Sequence, residues 1–581
     1  MKSRFLFPFA ITLAAMALPA LAADSGKVTV TILHSTGAPF PGVVVTLANT
    51  KNLAPPQALN TNAEGKAIFG VVRAGAGYKI TIEATGYQKI EEANISVGIN
   101  ANLNLLYKIQ QQKTEKVVVE AKRPVASIDE PTGTVTISGE FFQDLPILGR
   151  NYQSALTLAP GVNDANGDGN PNVHGARERD FKATLDGISN VDPLTGTFMS
   201  NINPDAIEEI EVVTTGADAS YGRAVGGFAN IITKQGSNDF EGVVKMIYRT
   251  SALDGNGASP LPAKFFKFDW YQPSASLTGK IIRDKLFFAV NHEYHDVGEP
   301  IVLTGGGALV RTYNVWRHLD KITWQASPRN KVNFQYSADP YRVSPFGVGG
   351  NTSVDSGYGY KQGGPTYSVE WQNPISPNFT VKTIVGHSDT GIGLLPLTEG
   401  IKNGAYVDTF GTCRPGIKPP NCTPPGYASH RPGLPLDEDY LLNLETGGFS
   451  GSFFLKHTDV RQRLTFKSDA TMYVNNFLGK EHTFEFGFIA EDEHSDSTET
   501  VHPFSIFEIG QQAIVPNQDL TPVAVLFRTI YSPGAPDRSL NTADGLTAGI
   551  YLQDAFRPHP NVSVKAGLRY EWEHVTAPGK V

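Results

Sequence analysis

The stretch that decides the fold comes in three pieces, Thr184-Leu185-Asp186-Gly187-Ile188, Asn203-Pro204-Asp205-Ala206-Ile207-Glu208-Glu209-Ile210-Glu211-Val212 and Tyr221-Gly222-Arg223-Ala224-Val225-Gly226-Gly227-Phe228-Ala229-Asn230-Ile231-Ile232-Thr233-Lys234. The apolar residues Ile207, Ile210, Val212 and Val213 predict the buried side of a short helix end and of the strand that follows it. Gly226-Gly227 permits a tight turn, and Ile231-Ile232-Thr233 is typical of a buried strand. Together these residues predict a compact α+β domain.

From Thr114 to about Gly242 the chain resembles, in the same order of motifs, the plug domain of TonB-dependent outer-membrane receptors. Leu145-Pro146-Ile147-Leu148-Gly149-Arg150-Asn151-Tyr152, with Ala159-Pro160-Gly161-Val162, resembles the first plug helix region, especially of Oar-like receptors. Val173-His174-Gly175-Ala176-Arg177 resembles the family's Arg-Gly-containing strand, with a His before the Gly. The resemblance implies plug-motif roles for Arg150, Gly175, Arg177, Asp186, Gly187, Tyr221, Gly222, Gly226, Gly227 and Asn230.

A short β-branched run precedes this domain. Glu115-Lys116-Val117-Val118-Val119-Glu120-Ala121 follows a polar, Gln-rich stretch. By its residues alone it is either an ordinary first strand or an exposed strand that awaits an edge partner. The segment resembles the TonB box, which TonB captures by strand addition. We therefore assign residues 108–122 to a linker with the TonB box and residues 123–240 to the plug, called the plug region below.

The N-terminus predicts export and a small β-domain. Residues 1–22 have a basic start, an apolar run and a small-residue end, which is typical of a secretory signal peptide. Residues 23–107 read as short alternating strands separated by turns, which predicts a β-sandwich. The pattern Asn62-Ala63-Glu64-Gly65-Lys66-Ala67-Ile68-Phe69 resembles the carboxypeptidase regulatory-like domain, a transthyretin-like Greek key.

Residues 241–581 alternate in segments of about ten residues. Val562, Val564, Ala566, Leu568, Tyr570 and Trp572 alternate with Ser563, Lys565, Gly567, Arg569, Glu571 and Glu573. This period fits both a transmembrane β-barrel and a soluble sandwich, and the plug resemblance favours the barrel. About eleven such segments predict the N-terminal half of an antiparallel barrel of roughly 22 strands. The expected fold class is mainly β, with the plug as the α+β part.

Two long inserts interrupt these strands, at about Thr390 to Lys456 and Ser495 to Asp544. Because outer-membrane barrels place long loops outside the cell, Tyr406, Phe410, Tyr427 and His430 are candidate ligand contacts, or else residues of loops without a specific role. The only two cysteines of the sequence, Cys413 and Cys422, lie in the first insert. In an exported chain they favour a local disulfide over a metal pair.

Two sequence patterns resemble parts of metal sites, but one lacks a ligand and the other lacks the required geometry. Asp164, Asn166 and Asp168 fit the first half of a calcium loop, but Gly175 occupies the position of the bidentate ligand, so a plain turn-rich loop is the favoured interpretation. His482 and Glu485 form a His-x-x-Glu pattern, but their segment alternates as a strand, which sends residues three apart to opposite faces. We predict no peptidase activity, no resident metal and no cofactor.

The sequence therefore predicts a TonB-dependent receptor of the Gram-negative outer membrane that is not an enzyme, with its N-terminal domain in the periplasm. The resemblance implies that TonB, energised by ExbB and ExbD, drives import of an extracellular ligand, and that lipid surrounds the barrel. A siderophore, a glycan, a cobalamin and a peptide all remain open as ligands. The alternative is a surface adhesin or structural β-protein with a non-transporting plug. A net charge of −8 makes a nucleic-acid partner unexpected.

Overall fold

The computed structural model describes most of the chain outside its N-terminus and its long inserts. The described residues are 25–50, 56–73, 75–98, 102–109, 133–144, 151–253, 268–302, 308–349, 352, 354–376, 378–397, 407–408, 427–428, 440–443, 448–451, 453, 455–501, 504–512, 521–530, 538–559 and 562–577. The predicted signal peptide lies outside them. Among them, no helix is long and apolar enough to span a membrane.

The first domain is a two-sheet sandwich, as predicted. Its strands are β1 (Ser25–His34), β2 (Val44–Asn49), β3 (Gln57–Asn60), β4 (Lys66–Arg73), β5 (Gly75–Glu83), β6 (Ile90–Val97) and β7 (Asn102–Ile109). One sheet has the order β4-β1-β7 and the other β3-β2-β5-β6. Apolar side chains from both sheets, such as Val30 and Ile80, are fully buried between them. Ile109 belongs to this core, so the domain extends two residues past the predicted boundary at 107.

The plug region is a five-stranded sheet with short helices. Its elements are β8 (Gly133–Ser138), α1 (Gly139–Asp144), α2 (Gln153–Leu156), β9 (Val162–Asn163), β10 (Asn172–Val173), a 3-10 helix (Glu178–Asp180), β11 (Phe181–Leu185), β12 (Ile188–Ser189), a second 3-10 helix (Pro204–Ala206), β13 (Ile207–Thr215) and β14 (Gly227–Thr233). The sheet order is β12-β11-β14-β13-β8. The predicted helix end and strand at Ile207 are confirmed, and Ile207, Ile210 and Val212 are fully buried.

The remaining strands form one large antiparallel sheet. They are β15 (Glu241–Thr250), β16 (Asp269–Ile282), β17 (Leu286–Val302), β18 (Ala308–Ser327), β19 (Asn330–Ala338), β20 (Tyr341–Phe346), β21 (Tyr358–Gln362), β22 (Pro365–Ser376), β23 (Phe379–Pro396), β28 (Leu455–Phe477), β29 (Lys480–Val501), β32 (Arg538–His559) and β33 (Val562–Thr576). The numbers left out belong to strands of the inserts, which are given below. Eleven strands follow one another from β15 to β33, as the sequence predicts, while β20 and β21 pair beside this path. The sheet curves around the plug region, which contacts its inner face.

The two faces of the large sheet differ as the alternation predicts. On β33, Leu568 is 83% exposed and Tyr570 66% exposed on the outer face. On the inner face Lys565 and Arg569 contact the plug region. An apolar outer face and a polar inner face are the arrangement of a barrel that sits in lipid.

The two ends of the large sheet carry different connections. Connections of two or three residues join β16 to β17, β18 to β19, β22 to β23, β28 to β29 and β32 to β33 at one end, called the short-turn end. The opposite end, called the long-connection end, carries the connection with β20 and β21 and both inserts. The inserts are shorter than predicted, because β23 runs to Pro396, β29 runs to Val501 and β32 begins at Arg538.

The described strands of the inserts form two small sheets. They are β24 (Val407–Asp408), β25 (Tyr427–Ala428), β26 (Tyr440–Asn443), β27 (Gly448–Gly451), β30 (Phe504–Gln512) and β31 (Thr521–Ile530). Strands β24 and β25 form a two-stranded sheet, and the two inserts share a four-stranded one, whose order β27-β26-β30-β31 pairs the first insert with the second.

The sandwich contacts the large sheet at its short-turn end. Lys27 Nζ lies 3.0 Å from Glu481 Oε2, and Arg73 donates a hydrogen bond of 3.0 Å to Gln372. A Cβ at Gly70 would come within 2.3 Å of the Cβ of Tyr473, so glycine permits this close approach. The sandwich therefore lies at the end opposite the inserts.

Candidate ligand cavity and plug interface

A cavity of about 830 Å³ lies between the plug region and the inner face of the large sheet. The plug region contributes polar and small residues of its loops to the lining, together with Phe198. The sheet contributes Trp270, Tyr313, Tyr341 and Tyr360. Because β20 and β21 carry two of these rings, the cavity lies toward the long-connection end. A concave site with aromatic walls and placed polar groups is the usual form of a small-molecule site.

Local hydrogen bonds hold the plug loop that forms one wall of the cavity. Asp192 Oδ1 accepts from the backbone N–H groups of Leu194 and Thr195, at 2.9 and 2.8 Å. Asn170 Oδ1 accepts from the N–H of Phe198 at 2.9 Å. The Asp192 contacts form an Asx turn within the loop, and the Asn170 contact ties the loop to a second loop of the plug region.

Two buried arginines line the cavity, and both are neutralised. Arg461 lies 2.7 Å from Asp192 of the plug region and 2.7 Å from Asp459 of its own strand. Arg317 forms an ion pair with Glu293 and donates to Asn151 Oδ1 at 3.0 Å. Among the described residues that line the cavity, each arginine therefore has a carboxylate partner.

Asp339 joins the cavity wall to the plug region. It lies just after β19, and its Oδ2 accepts from the N–H of Asn201 at 2.7 Å. Burial raises the pKa of Asp339 to about 7, although the Asn201 hydrogen bond and Arg317 act in the opposite direction. This carboxyl therefore changes its protonation near neutral pH.

The predicted motif residues Asp186 and Gly187 form the turn between β11 and β12. Both have positive φ, 50° and 88°, which is the conformation that an Asp-Gly hairpin turn favours. The Asp186 carboxylate accepts from Thr233 Oγ1 at 2.6 Å and lies 3.1 Å from Lys321 Nζ. Lys321 is buried in β18, so this turn ties the plug region to the large sheet.

Arg223 forms a second tie. Its guanidinium lies 2.7 Å from Glu491 and 3.4 Å from Glu493, both on β29. Arg463 of β28 lies 2.8 Å from the same Glu493 and donates to the carbonyl of Val191 at 2.7 Å. Burial alone would lower the pKa of Arg223, but the two glutamates outweigh it and the pKa is raised.

Asp218 forms a third tie, 2.5 Å from Lys565 of β33. Burial would raise the pKa of Asp218, but Lys565 and the hydrogen bonds from Ser220 outweigh it, so the pKa lies below its usual value. Next to this pair, the N–H of Ala219 donates to Gln553 at 2.9 Å. The ion pair is therefore complete at neutral pH.

Three glycines of the motifs, Gly222, Gly226 and Gly227, serve close packing. Gly226 and Gly227 do not have positive φ, so the bend before β14 does not require the conformational freedom of glycine. A Cβ at Gly226 would lie 3.0 Å from Ala176, and one at Gly227 would lie 3.1 Å from Val173. A Cβ at Gly222 would lie 2.3 Å from Arg569 Nε, so glycine lets the plug backbone approach β33.

Tyr221 and Asn230 lie inside the plug region. Tyr221 donates to Glu211 Oε2 at 3.1 Å, and its ring lies 4.6 Å from that of Phe228. Asn230 Oδ1 accepts from Thr184 Oγ1 at 2.8 Å. Both residues therefore brace the sheet of the plug region.

The segment from Val173 to Arg177 is a turn rather than the expected strand. β10 ends at Val173, and His174 and Gly175 have positive φ. Arg177 is 71% exposed in its side chain and pairs with Asp180 at 2.9 Å. Its contacts are local to the 3-10 helix that it precedes.

The candidate calcium loop uses its oxygens internally. Asp164 Oδ1 and Oδ2 accept from the N–H groups of Gly167 and Gly169, at 2.9 and 3.1 Å. The amide nitrogen of Asn166 donates to Asp168 and to Glu178. These contacts favour the plain loop, and the described residues hold no group of three or more His, Cys, Asp or Glu side chains placed for a metal.

His482 and Glu485 lie on β29, as predicted. His482 Nδ1 lies 2.7 Å from Asp554, and its ring stacks on Phe484 and Phe556. Glu485 instead contacts Gln553, a residue buried on the inner face. The two side chains therefore do not share one site.

Several predicted residues lie outside the described part of the chain. They are Arg150, the TonB box from Glu115 to Ala121, the Cys413 and Cys422 pair, Tyr406, Phe410 and His430. Tyr427 lies in β25, but its side chain is outside the description. Their predicted roles stay predictions.

Sequence reasoning missed the aromatic cavity wall and the partners of the plug on the large sheet. Lys321, Glu491 and Lys565 all occupy inward positions of alternating strands. A charged residue in the middle of such a strand could have been read as a contact to the plug. Which charge meets which requires the three-dimensional register.

Three family models match successive parts of the chain. The carboxypeptidase regulatory-like domain matches residues 27–110, the TonB-dependent receptor plug domain residues 127–228 and the outer membrane beta barrel domain residues 308–578. A curated relative, the TonB-dependent transporter Oar of Myxococcus xanthus, is 24% identical over 265 residues, which are 43% of this chain and 25% of the relative.

A solved structure supports the same fold. The outer membrane transporter YddB from Escherichia coli superposes with a TM-score of 0.50 at 14% identity, over 77% of this chain and 57% of that chain. In both comparisons the matched part covers less than two thirds of the relative. The plug and barrel domains place the chain in the Gram-negative outer membrane.

Proposed function

The chain combines the domains of the TonB-dependent outer-membrane receptors, and on that premise we propose that it binds an extracellular ligand and imports it with energy delivered by TonB. The observation that carries the proposal is the cavity between the plug region and the large sheet. A ligand that enters from the long-connection end meets this cavity before the plug region blocks its way.

The orientation follows from the connections. Outer-membrane barrels turn their short connections to the periplasm and their long ones to the outside. The sandwich and the TonB box segment are then periplasmic, where TonB, energised by ExbB and ExbD, captures the box. The apolar outer face of the large sheet contacts lipid, and the import step involves no covalent chemistry.

The plug region can respond both to a ligand in the cavity and to TonB in the periplasm. Asp192 lies at the cavity and pairs with Arg461, while Asp186, Asp218 and Arg223 reach other strands of the same inner face. A ligand that displaces a cavity contact changes the balance of these ion pairs. Withdrawal of the plug by TonB then opens a path for the ligand.

The first prediction tests this coupling. Val118→Pro removes a backbone N–H from the TonB box and so prevents strand pairing with TonB. We expect energy-dependent uptake to fall to the level of a strain without TonB, while ligand binding to intact cells is unchanged. Uptake of labelled ligand and co-purification with TonB measure the two effects.

Val118→Ala is the matched control, because it shortens the same side chain and keeps the N–H. It should retain most of the uptake. Full uptake by Val118→Pro would contradict the assigned TonB box. Binding and surface attachment that never depend on TonB, in any variant, would instead support the adhesin.

A further inference from the structure

Six aromatic rings form a continuous row from the cavity toward the long-connection end. In order they are Tyr313, Tyr341, Tyr360, Phe346, Tyr358 and Phe453, and we call this row the ladder. Successive ring centroids lie 6.4, 6.1, 5.4, 5.3 and 4.4 Å apart. Each ring is partly exposed, so none is a core residue.

The ladder connects the outside to the cavity. Four of its rings lie on β20 and β21, which belong to the long-connection end. Tyr313, Tyr341 and Tyr360 also line the cavity. A ligand that moves along the rings therefore arrives at the plug region.

Polar groups stand at the edges of the rings. Tyr313 donates to Glu299 Oε2 at 2.9 Å, and Tyr360 donates to Gln362 Oε1 at 2.7 Å. Arg311 donates to Tyr313 Oη at 3.3 Å. The row therefore offers apolar ring faces beside hydrogen-bonding carboxylate, amide and guanidinium groups.

The charges of the cavity disfavour an anionic ligand. Its two arginines already pair with carboxylates, as described above, and the lining also contains Asp168, Glu299 and Asp339. An anion in the cavity would approach arginines whose charge is already balanced by carboxylates, and it would be repelled by Asp168 and Glu299. A neutral ligand avoids this repulsion.

Resting on the receptor function proposed above, we propose that the ligand is a neutral oligosaccharide bound along the ladder. A sugar ring has a face of C–H groups that packs on an aromatic ring and a rim of hydroxyls that hydrogen-bond at its edge. The alternation of ring faces and polar edges along the ladder matches this chemistry. Repeated sugars match the repeated rings.

The test uses the full-length protein in detergent and the fluorescence of Trp270, which lines the cavity. The other four tryptophans are on the outer face, 38–47% exposed. The probes are an array of neutral oligosaccharides of different linkage, including six-residue α-1,4- and β-1,4-glucans, with six-residue oligopeptides beside them. We expect saturable quenching by at least one neutral oligosaccharide, and loss of the signal in Trp270→Phe.

Substitution of the ladder sharpens the test. Tyr341→Ala and Tyr360→Ala should each weaken saccharide binding by roughly tenfold. Tyr367→Ala is the matched control, because Tyr367 belongs to a ring pair with Tyr336 on the outer face, 5.3 Å apart, and is 52% exposed. Its affinity should equal that of the unmodified protein.

Binding of no array member, binding of oligopeptides alone, or unchanged saccharide affinity in both ladder variants would overturn the proposal. Failure of the transport function has a different signature. If saccharides bind through the ladder but uptake is the same with and without TonB, the ligand class stands and the receptor function falls. If another ligand is taken up through TonB and no member of the array binds, the receptor function stands and the proposed ligand class falls.

Discussion

Within the plug region, Ile207, Ile210 and Val212 are fully buried in an apolar cluster, whereas the surface that meets the large sheet is held by Asp186, Asp218 and other charged groups. The apolar cluster gains free energy whenever its side chains leave water. Buried ion pairs gain little net free energy, because the desolvation of two charges offsets their attraction.

This difference separates the folding of the plug region from its attachment to the inner face of the large sheet, which we call seating. If the plug region leaves the inner face, its charges are hydrated again while its own core stays intact, so we expect this separation to cost less free energy than unfolding. Leu319 of β18 is an exception, since it joins the apolar cluster of the plug from the large sheet. A plug held by polar contacts is what the proposed import through the barrel requires.

The largest effect is expected from a charge placed in the plug core. Ile210→Asp buries a carboxylate among apolar side chains and should destabilise the plug region by more than about 5 kcal/mol. Pulse proteolysis in urea on the purified protein measures it. Val225→Ala, at a position 87% exposed in the same region, is the control and should change stability by less than about 0.5 kcal/mol. Equal effects would contradict an apolar plug core.

A smaller effect is expected from removing an ion pair that attaches the plug region to the large sheet. Arg223→Ala leaves Glu491 short of a partner and should weaken seating by about 2–3 kcal/mol, less than for an isolated buried pair because Arg463 remains nearby. The plug core should keep its resistance to proteolysis, while conductance in planar bilayers rises. Adding Glu491→Gln should restore part of the seating. Loss of core stability instead would show that seating and folding are one process.

The smallest effect is expected from a change of pH, which alters the stability of the folded protein. Because the pKa of Asp339 is about 7 in the folded protein and near 3.8 when exposed, the folded state holds an extra proton between these values. Stability therefore falls as pH rises from about 4 to 7, by about 1–2 kcal/mol between pH 5.5 and 7.5. Asp339→Asn should remove this part of the pH dependence in urea unfolding of the plug region. An unchanged slope in the variant would contradict the assignment.

The sequence predicts the folds of the domains better than their contacts. Alternation on β33 and the apolar spacing at Ile207 and Ile210 are local properties, so both predict strands correctly. Arg223 and Glu491 are 268 residues apart, and no local pattern pairs them. The same holds for the ladder, since β20 and β21 look like an ordinary polar, glycine-containing connection.

Gly226 shows a second kind of limit. A glycine at this position suggests a turn, because glycine adopts conformations that other residues avoid. In the structure the position instead requires a small residue, because it packs against Ala176. Both reasons favour glycine, and only the packed structure distinguishes them. The TonB box and the ligand loops depend on partners, so neither periodicity nor composition resolves their roles.

Hydrogen exchange followed by mass spectrometry, on the full-length protein at low salt and at 1 M salt, tests the separation of folding from seating most directly. When the plug region leaves the inner face its charged groups meet water, where 1 M salt screens them and so favours the separated state, while apolar burial stays intact. We predict that β11, β13 and β14 keep their protection at high salt, while Ala219, whose N–H donates to Gln553, exchanges faster. Loss of protection at both places together would contradict the account.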